Sequence, residues 1–522
     1  MQPGGSEQPR TQPWPRVAVL LLAIGFSLWA LAFIYRTSFI AIDGQRYFSL
    51  FDDAMVSMRY AWNASHGVGL VWNPGERVEG YTNFLMVALM TLWTSFLGKS
   101  DAVLAVQLCG IPTLLGVGVL GMLHARELAS GGEVRPSGWI AHLSLVGALA
   151  YYPLLYWTLT GMETGLLTLL LLAGTLQSLI YMRTRRLPRL AAAALLFSLA
   201  YLARPDSAPV AVVVLTWAGV FASGNPRERV RAAALSLALY SAFPVLQSVF
   251  RGMYYGSLVP LTYTLKATGM PFGFRIQNGI AFLLPFLREA RWGYLLAILA
   301  TIPVFTRRLA LLMLPPAIIT AYQVAVGGDA WPYWRLVAPA MPYLVLLALA
   351  GMDRLLALGA RALPRLGSVF RLRKGAQAPH SLVQFLPRPA RTLIAVAVAT
   401  SLVLAGILAD YLRPGSPGFG TVQLALVAAG VPLGLTALGA LRPVTAATSG
   451  IMFFLLVSVN SRFIPEAVFL ELPYKAEANR NHVNAALSIL RLTTEEATVG
   501  VFHAGIIPYY TSRYAVVRIP VM

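Results

Sequence analysis

The chain has 522 residues, of which 57% are hydrophobic and only 12% are charged, and its mean hydropathy is +0.65. Charged residues make up about a quarter of a typical soluble domain, so this composition excludes an ordinary soluble protein. The apolar runs are continuous rather than alternating, which predicts a polytopic all-α membrane protein and argues against a β-barrel.

Basic residues outnumber acidic residues by 41 to 21, which gives a formal net charge of +20. They lie in short loops between apolar runs, as the positive-inside bias of membrane proteins requires, and form no contiguous basic face. No nucleic-acid partner is therefore expected. The single cysteine, Cys109, lies within an apolar run, which excludes disulfides and cysteine metal sites inside the chain.

The first apolar run, residues 17–35, is long enough to span a bilayer and lacks a small-residue cleavage site, so it is predicted to be a retained helix. The polar stretch FDDAMVSMRYAWNASHGVGLVWNPGERVEGYTN follows at residues 51–83 and begins with the adjacent carboxylates Asp52 and Asp53. These aspartates either cap a helix that begins near Ala54, since Asp is a favoured N-cap residue, or perform chemistry outside the membrane.

The basic loops predict the topology of the remaining spans. Cytoplasmic positions are expected for MRTRRLPR (182–189), GNPRERVR (224–231), TRR (306–308) and the arginine-rich segment 354–391. The segment GMET (161–164) then lies outside, which leaves an odd number of crossings for three apolar runs, 82–97, 102–122 and 138–157. The run 82–97 is short for about 30 Å of hydrocarbon, so it is predicted to lie at the outer interface. The chain would have about eleven to thirteen spans.

Four regions are predicted from these runs. Residues 1–353 form a transmembrane catalytic core with a first outer loop at 36–101, and residues 354–391 form a basic cytoplasmic linker. Residues 392–461 form C-terminal transmembrane helices, and residues 462–522 form a partial extracytoplasmic domain.

Under this topology, polar side chains from separate loops face one compartment outside the cytoplasm. Charged groups at membrane ends are costly unless they are paired or hydrated, so a shared outward cavity is the simplest explanation. Carboxylates mixed with cations suit a phosphate-bearing substrate, because basic groups hold phosphate and a carboxylate can deprotonate a hydroxyl. Besides the two aspartates, the candidates are Arg59, Glu79, Glu163, Arg204, Asp206, Lys266, Asp329 and Arg335.

These candidates also have structural interpretations. Glu163 at a helix start could complement the helix dipole, and Asp206 beside Arg204 could form a local ion pair. The aromatic residues Trp331 and Tyr333 are either interfacial anchors or a platform for sugar stacking. The sequence leaves both interpretations open.

Several motifs follow one another in a characteristic order: FDDAMVSMRYAWNASHGVGLVWNPGERVEGYTNFL, GMET, LARPD, YYGSLVPLTYTLKA, VGGDAWPYWRLVAPAMP and ATVGVFHAGIIPYYTSRYAV. Together they resemble the GT-C membrane glycosyltransferases that use polyprenyl-phosphate sugar donors. Within that superfamily the chain looks most like the terminal β-arabinofuranosyltransferases of mycolic-acid-bearing cell walls. The resemblance implies a core of GT-C type with juxtamembrane helices in the first outer loop.

The resemblance also implies an activity, namely transfer of a sugar, such as arabinofuranose or another pentose or hexose, from a polyprenyl phosphate to an acceptor hydroxyl with inversion. The acceptor would be a cell-envelope glycan or lipid, on the extracytoplasmic face of the bacterial inner membrane. One of Asp52 and Asp53 would be the general base, with Asp52 slightly favoured. Glu79 and Glu163 would line the acceptor side. The other roles implied are donor-phosphate binding by Arg204, Lys266 and Arg335, and substrate binding by Arg59, Asp206 and Asp329.

Some GT-C members use a divalent metal, and Asp52, Asp53 and Glu163 are the residues expected to hold one if it is needed. The end of the chain departs from the family pattern, because VVRIPVM stands where relatives continue into a larger soluble module. This departure predicts altered acceptor recognition and leaves an inactive family member as an alternative. A flippase of lipid-linked saccharides is a further alternative, which predicts broken helices at the bilayer midplane and inverted repeats.

Overall fold

The structure is a computed structural model that describes residues 14–134, 138–222, 224–260, 270–301, 306–354 and 455–517. Most of these residues are helical. The helices are α1 (Trp14–Thr37), α2 (Asp52–Ser65), α3 (Phe84–Thr94), α4 (Lys99–Ser130), α5 (Gly138–Leu149), α6 (Tyr152–Leu159), α7 (Thr164–Thr184), α8 (Leu187–Ala203), α9 (Ala208–Phe221), α10 (Pro226–Tyr240), α11 (Ala242–Tyr255), α12 (Phe272–Thr301), α13 (Arg307–Val326), α14 (Ile464–Ala467), α15 (Ala476–Leu492) and α16 (Ile506–Thr511). Residues 341–354 and 455–460 are also helical.

Within the described ranges, five helices are long and apolar enough to cross a membrane. They are Val17–Thr37, Lys99–Ser130, Thr164–Thr184, Pro226–Tyr255 and Arg307–Val326. A bent pair of helices raises the number to six, and three shorter apolar helices accompany them. The prediction of an all-α polytopic membrane protein is therefore confirmed. The predicted total of about eleven to thirteen spans stays a prediction, because residues 355–454 lie outside the described part.

The apolar run 82–97 forms only the short helix α3. Its 11 residues extend for about 16 Å at 1.5 Å per residue, well below the thickness of the hydrocarbon core. The helix packs on α2, where the Thr94 hydroxyl donates to the Ala61 carbonyl at 3.2 Å. This geometry agrees with the predicted element that does not cross.

The apolar run 138–157 is not one straight helix, as the topology assumed, but the pair α5 and α6, bent by 54°. Pro153, at the start of α6, has no backbone N–H and breaks the helical ladder. Asn460 replaces the lost bonds, since its side chain accepts from the Tyr152 amide at 2.8 Å and donates to the Ala150 carbonyl at 2.7 Å. The backbone groups freed at this bend are therefore occupied by Asn460.

Two of the loops predicted to be cytoplasmic meet at one end of the bundle. Glu127 of α4 accepts from Arg183 at 2.7 and 2.9 Å and from Arg308 at 2.7 Å. Arg308 also donates to Glu133 at 2.8 Å. The basic segments 182–189 and 306–308 therefore lie on the same side, as the charge bias requires.

The C-terminal part of the described chain docks against the first loop. It contains β3 (Thr498–Val501) and β4 (Tyr514–Val517), which pair in parallel around α16. A second two-stranded sheet, β1 (Phe39–Ile40) with β2 (Arg46–Tyr47), is antiparallel and follows α1. Arg59 of α2 joins the first loop to the C-terminal segment by donating to the Pro508 carbonyl at 2.7 Å.

Candidate functional site

A cavity of about 370 Å³ lies beside the first turn of α2. The polar loops that the topology placed outside converge on it from four parts of the chain. Its charged lining residues are Asp53, Glu163, Arg204, Asp206, Arg275, Asp329 and Arg335. Tertiary folding thus joins the FDD, GMET, LARPD and VGGDAWPYWR motifs in one site.

Asp53 presents one anchored and one available carboxylate oxygen. Its Oδ2 accepts from Trp331 Nε1 at 3.0 Å and from Arg335 Nη1 at 2.9 Å. Its Oδ1 has no hydrogen-bond partner among the described residues, and 39% of the side chain is exposed. A carboxylate held on one oxygen and open on the other is suited to accept a proton.

Arg335 is buried and holds two carboxylates. Besides Asp53 it binds Asp329, with Nε to Oδ2 at 3.0 Å and Nη2 to Oδ1 at 3.2 Å. Its guanidinium also lies 5.5 Å from the Trp157 ring centroid. Burial acts to lower the pKa of Arg335, but the carboxylates of Asp329 and Asp53 raise it above its usual range. Arg335 is therefore positively charged, and the carboxylates of Asp53 and Asp329 balance its charge.

Arg204 is also neutralised by two carboxylates. It donates to Glu163 Oε1 at 2.5 Å and to Asp206 Oδ2 at 2.6 Å, while Asn83 donates to Glu163 Oε2 at 3.0 Å. Burial acts to raise the pKa of Glu163, but Arg204 and Arg335 lower it below its usual range. Glu163 is therefore ionised and structural in this network, and it makes no side-chain capping bond to α7.

Arg275, in the first turn of α12, differs from the other two arginines of the cavity. Among the residues that the structure describes, it has no carboxylate or side-chain hydrogen-bond partner, and its Nε is buried without an acceptor. Its guanidinium lies 5.5 Å from the centroid of the Phe272 ring. This guanidinium keeps its full capacity to bind an anion. The candidates chosen from the sequence did not include Arg275. The sequence shows it only as an arginine at the start of an apolar run.

Asp52, which the sequence slightly favoured as the base, does not line the cavity. Its Oδ1 accepts from the Ile506 amide at 2.9 Å and its Oδ2 from the Gly505 amide at 3.3 Å. A Cβ on Gly505 would lie 2.0 Å from the Asp52 carbonyl oxygen, so only glycine permits this approach. Burial raises the pKa of Asp52, although the Ile506 amide and His503 act to lower it. Asp52 therefore anchors the C-terminal segment.

The N-cap interpretation of the two aspartates is also not what the structure shows. The N-cap residue of α2 is Phe51, and it makes no side-chain capping bond. Asp52 and Asp53 lie in the first helical turn, where the helix dipole favours negative charge. Negative charge on these two side chains therefore stabilises the start of α2.

Two of the other three predicted substrate-binding residues do not line the cavity. Arg59 is buried and donates to the carbonyls of Trp72, Pro508 and Arg513. Both oxygens of Glu79 accept from Arg251 Nε, at 2.9 and 2.8 Å, and burial raises the pKa of Glu79 against the opposing effect of Arg251. The third residue, Lys266, lies outside the described residues.

The residues proposed to hold a metal do not fit one. Asp52 is turned toward the C-terminal segment, while Asp53 and Glu163 are each bound by an arginine. Among the described residues, no group of three His, Cys, Asp or Glu side chains could hold a metal ion. The donor set is instead a network of carboxylate–arginine pairs.

The aromatic residues Trp331 and Tyr333, which follow α13, lie outside the cavity lining. Trp331 donates to Asp53, and Tyr333 packs against Tyr156 and Phe463 with ring centroids 5.1 and 4.6 Å away. Neither Trp331 nor Tyr333 lines the cavity, whereas Tyr81 does. The sugar-stacking hypothesis for the first two residues is therefore not supported by their placement.

Comparison with solved structures identifies the fold. The chain aligns with ArnT from Cupriavidus metallidurans bound to undecaprenyl phosphate, with a TM-score of 0.52, 12% identity, and coverage of 98% of this chain and 87% of ArnT. The apo state of ArnT aligns with a TM-score of 0.50, 14% identity, and coverage of 95% and 85%. The likeness shows that the chain has the predicted GT-C fold.

Comparison with characterised sequences finds a similarity over part of the chain. It is 27% identical over 313 residues to the terminal β-(1→2)-arabinofuranosyltransferase of Mycobacterium tuberculosis, an alignment that covers 54% of this chain and 48% of the relative. The chain thus spans about half the length of that curated relative. No family model matches the chain.

Proposed function

We propose that the chain transfers a sugar from a polyprenyl phosphate to an acceptor hydroxyl of a cell-envelope glycan or lipid. One observation carries this proposal: among the described residues, the same cavity contains a carboxylate with a free oxygen, Asp53, and a guanidinium without a counter-ion, Arg275. ArnT, which has the same fold, is bound to undecaprenyl phosphate. The sequence relative is an arabinofuranosyltransferase, which favours arabinofuranose or another pentose as the sugar.

The charge distribution supports a phosphate next to Arg275. Arg204 and Arg335 are each held by two carboxylates, so a phosphate that bound them would have to compete with existing ion pairs. Arg275 has no such competitor among the described residues, and charge-assisted bonds from arginine to phosphate are strong and directional. Lys266 is a second proposed phosphate ligand on sequence grounds alone.

The reaction balances with residues of the chain. Asp53 Oδ1 takes the proton from the acceptor hydroxyl while the acceptor oxygen bonds to the anomeric carbon. The bond from that carbon to the phosphate oxygen breaks, and its electron pair stays on the polyprenyl phosphate, where Arg275 stabilises the negative charge. Attack from the face opposite to the leaving group inverts the anomeric centre. No step is assigned to a metal ion.

Residues in and beside the cavity orient the reacting groups. Arg335 and Trp331 fix Asp53 Oδ2, which leaves Oδ1 toward the acceptor. Asp206 is 28% exposed and is the proposed hydrogen-bond acceptor for hydroxyls of the sugar, and Asp329 holds Arg335 in place.

The proposed location is the bacterial inner membrane with the cavity on the extracytoplasmic face. The arginine cluster around Glu127 lies at the other end of the bundle, and basic loops favour the cytoplasmic side. At the cavity end, α2 and the C-terminal segment 462–517 provide the protein groups that would meet an acceptor.

Purified chain supplied with labelled polyprenyl-phosphoryl pentoses and hexoses and an arabinofuranosyl oligosaccharide tests this function. We expect release of polyprenyl phosphate, with a loss of about 10²- to 10⁴-fold in Asp53→Asn, the usual contribution of a general base. Asp52→Asn is the matched control, because it removes the neighbouring carboxylate that does not line the cavity. Full turnover in Asp53→Asn, or passage of the intact donor between leaflets without bond cleavage, would contradict the proposal.

A further inference from the structure

The turn after α13 contains two consecutive bulky residues with left-handed backbone. Tyr333 has φ = 68° and Trp334 has φ = 44°, a region that non-glycine residues rarely adopt. Such conformations persist only where the surrounding structure holds them, and they concentrate at functional sites. Here the left-handed pair lies between Trp331 and Arg335, and both of these side chains donate to the same oxygen of Asp53.

A carboxylate outside the cavity holds this turn. The Tyr333 hydroxyl donates to Glu466 Oε1, while Glu466 Oε2 accepts from the Tyr152 hydroxyl at 2.7 Å and from the Tyr474 amide at 3.1 Å. On the backbone side, the Tyr333 carbonyl accepts from Trp157 Nε1 at 3.1 Å. In the described part of the chain, Glu466 has no cationic partner, so its three donors are neutral.

The segment that carries Glu466 is itself fixed to the first membrane helix. Trp29 Nε1 donates to the Ala467 carbonyl at 2.8 Å, and Arg36 donates to the Phe469 carbonyl at 3.0 Å. The rings of Trp29 and Phe469 are stacked, with centroids 6.1 Å apart. Glu466 of α14 is therefore anchored to α1 through the residues that follow it, and the Tyr333 hydroxyl is bound to this anchored segment.

We propose that Glu466 is a positioning residue for the Asp53 carboxylate. Glu466 accepts a hydrogen bond from the Tyr333 hydroxyl and so holds the left-handed turn in place. The turn then positions Trp331 and Arg335 to donate to Asp53 Oδ2. The catalytic consequence rests on the proposed function, whereas the mechanical link from Glu466 to the turn does not. Both parts are open to measurement.

Hydrogen exchange of the intact chain in detergent, read by mass spectrometry, tests the mechanical link. Tyr333→Phe removes only the hydroxyl. In Glu466→Gln the Tyr474 N–H requires the carbonyl oxygen, so the amide NH2 faces Tyr333 and a weaker neutral bond replaces the charge-assisted one. We expect both variants to exchange about threefold faster or more in peptides covering residues 327–337. Tyr152→Phe is the matched control, since it removes another hydroxyl from the same carboxylate. Unchanged exchange in Tyr333→Phe, or an equal increase in Tyr152→Phe, would overturn the proposal.

Transfer kinetics test the catalytic consequence. We expect Tyr333→Phe and Glu466→Gln to lower kcat about tenfold, with the KM for the polyprenyl-phosphoryl sugar unchanged, because Arg275 is not part of the turn. The double variant should be no slower than the worse single variant, since the two changes act on the same hydrogen bond. Additive losses would overturn the inference. Loss of turnover in Asp53→Asn together with normal kcat in Tyr333→Phe would overturn it while leaving the proposed function intact.

Discussion

Arg275 provides the most direct test of how the cavity binds its donor. Replacing it with glutamine keeps most of the side-chain length but removes the positive charge. A hydrogen bond to a charged group contributes about 1.5–3 kcal/mol, which corresponds to about 10- to 150-fold in affinity at 1.4 kcal/mol per factor of ten. Because Arg275 Nε is buried without an acceptor among the described residues, its removal should cost no stability. Binding of undecaprenyl phosphate, followed by isothermal titration calorimetry, should therefore weaken by that factor while the melting temperature is unchanged.

The matched control lies on the same helix. Arg288 is exposed, and it lies 13 residues beyond Arg275, about 20 Å along the helix axis. Arg288→Gln removes the same charge from the chain, so it corrects for any general electrostatic effect on the lipid phosphate. Equal affinity of wild type and Arg275→Gln, or equal weakening in Arg288→Gln, would refute the assignment of Arg275 to the phosphate.

Two further predictions concern stability away from the cavity. Glu127→Gln removes a buried carboxylate that pairs with two arginines, and it should lower the free energy of unfolding by about 3 kcal/mol. The side chain of Arg183 is 40% exposed, so Arg183→Gln should cost about 1 kcal/mol or less. Similar melting temperatures of the two variants in detergent would contradict this expectation. Burial, with the charges of His503 and Lys475, lowers the pKa of His482, so an undocked α15 binds a proton first as pH falls below about 6.5. The docked state should then lose stability with acidification, seen as faster hydrogen exchange in α15 at pH 5 than at pH 7.5 after correction for intrinsic rates, and His482→Asn should remove the difference.

The position of the two aspartates shows where sequence reasoning stops. Adjacent residues on an α-helix point about 100° apart, so Asp52 and Asp53 must face different surroundings. Asp52 meets the amides of Gly505 and Ile506, and Asp53 meets Arg335. These contacts span more than 280 positions of the chain. No local pattern indicates which aspartate faces the cavity.

Charged pairs illustrate the same limit. The sequence paired Arg204 with Asp206 because they are two residues apart, and this pair forms. It did not pair Glu79 with Arg251, which is 172 residues away, and it therefore treated Glu79 as free for substrate. Arg275 was missed for the opposite reason, since an arginine is recognised as unpaired only when its surroundings are known.

The sequence by itself determined the class of the protein. Apolar runs longer than the hydrocarbon core must become membrane helices, and the distribution of arginine predicts which loops share an end; the motif order then indicated the superfamily. The tertiary structure decided which carboxylate lines the cavity, which cation lacks a counter-ion, and where the run 138–157 breaks. These features depend on contacts between distant segments such as Asn460 with Ala150. The groups that stabilise these features are far apart in the sequence, and only the fold brings them together.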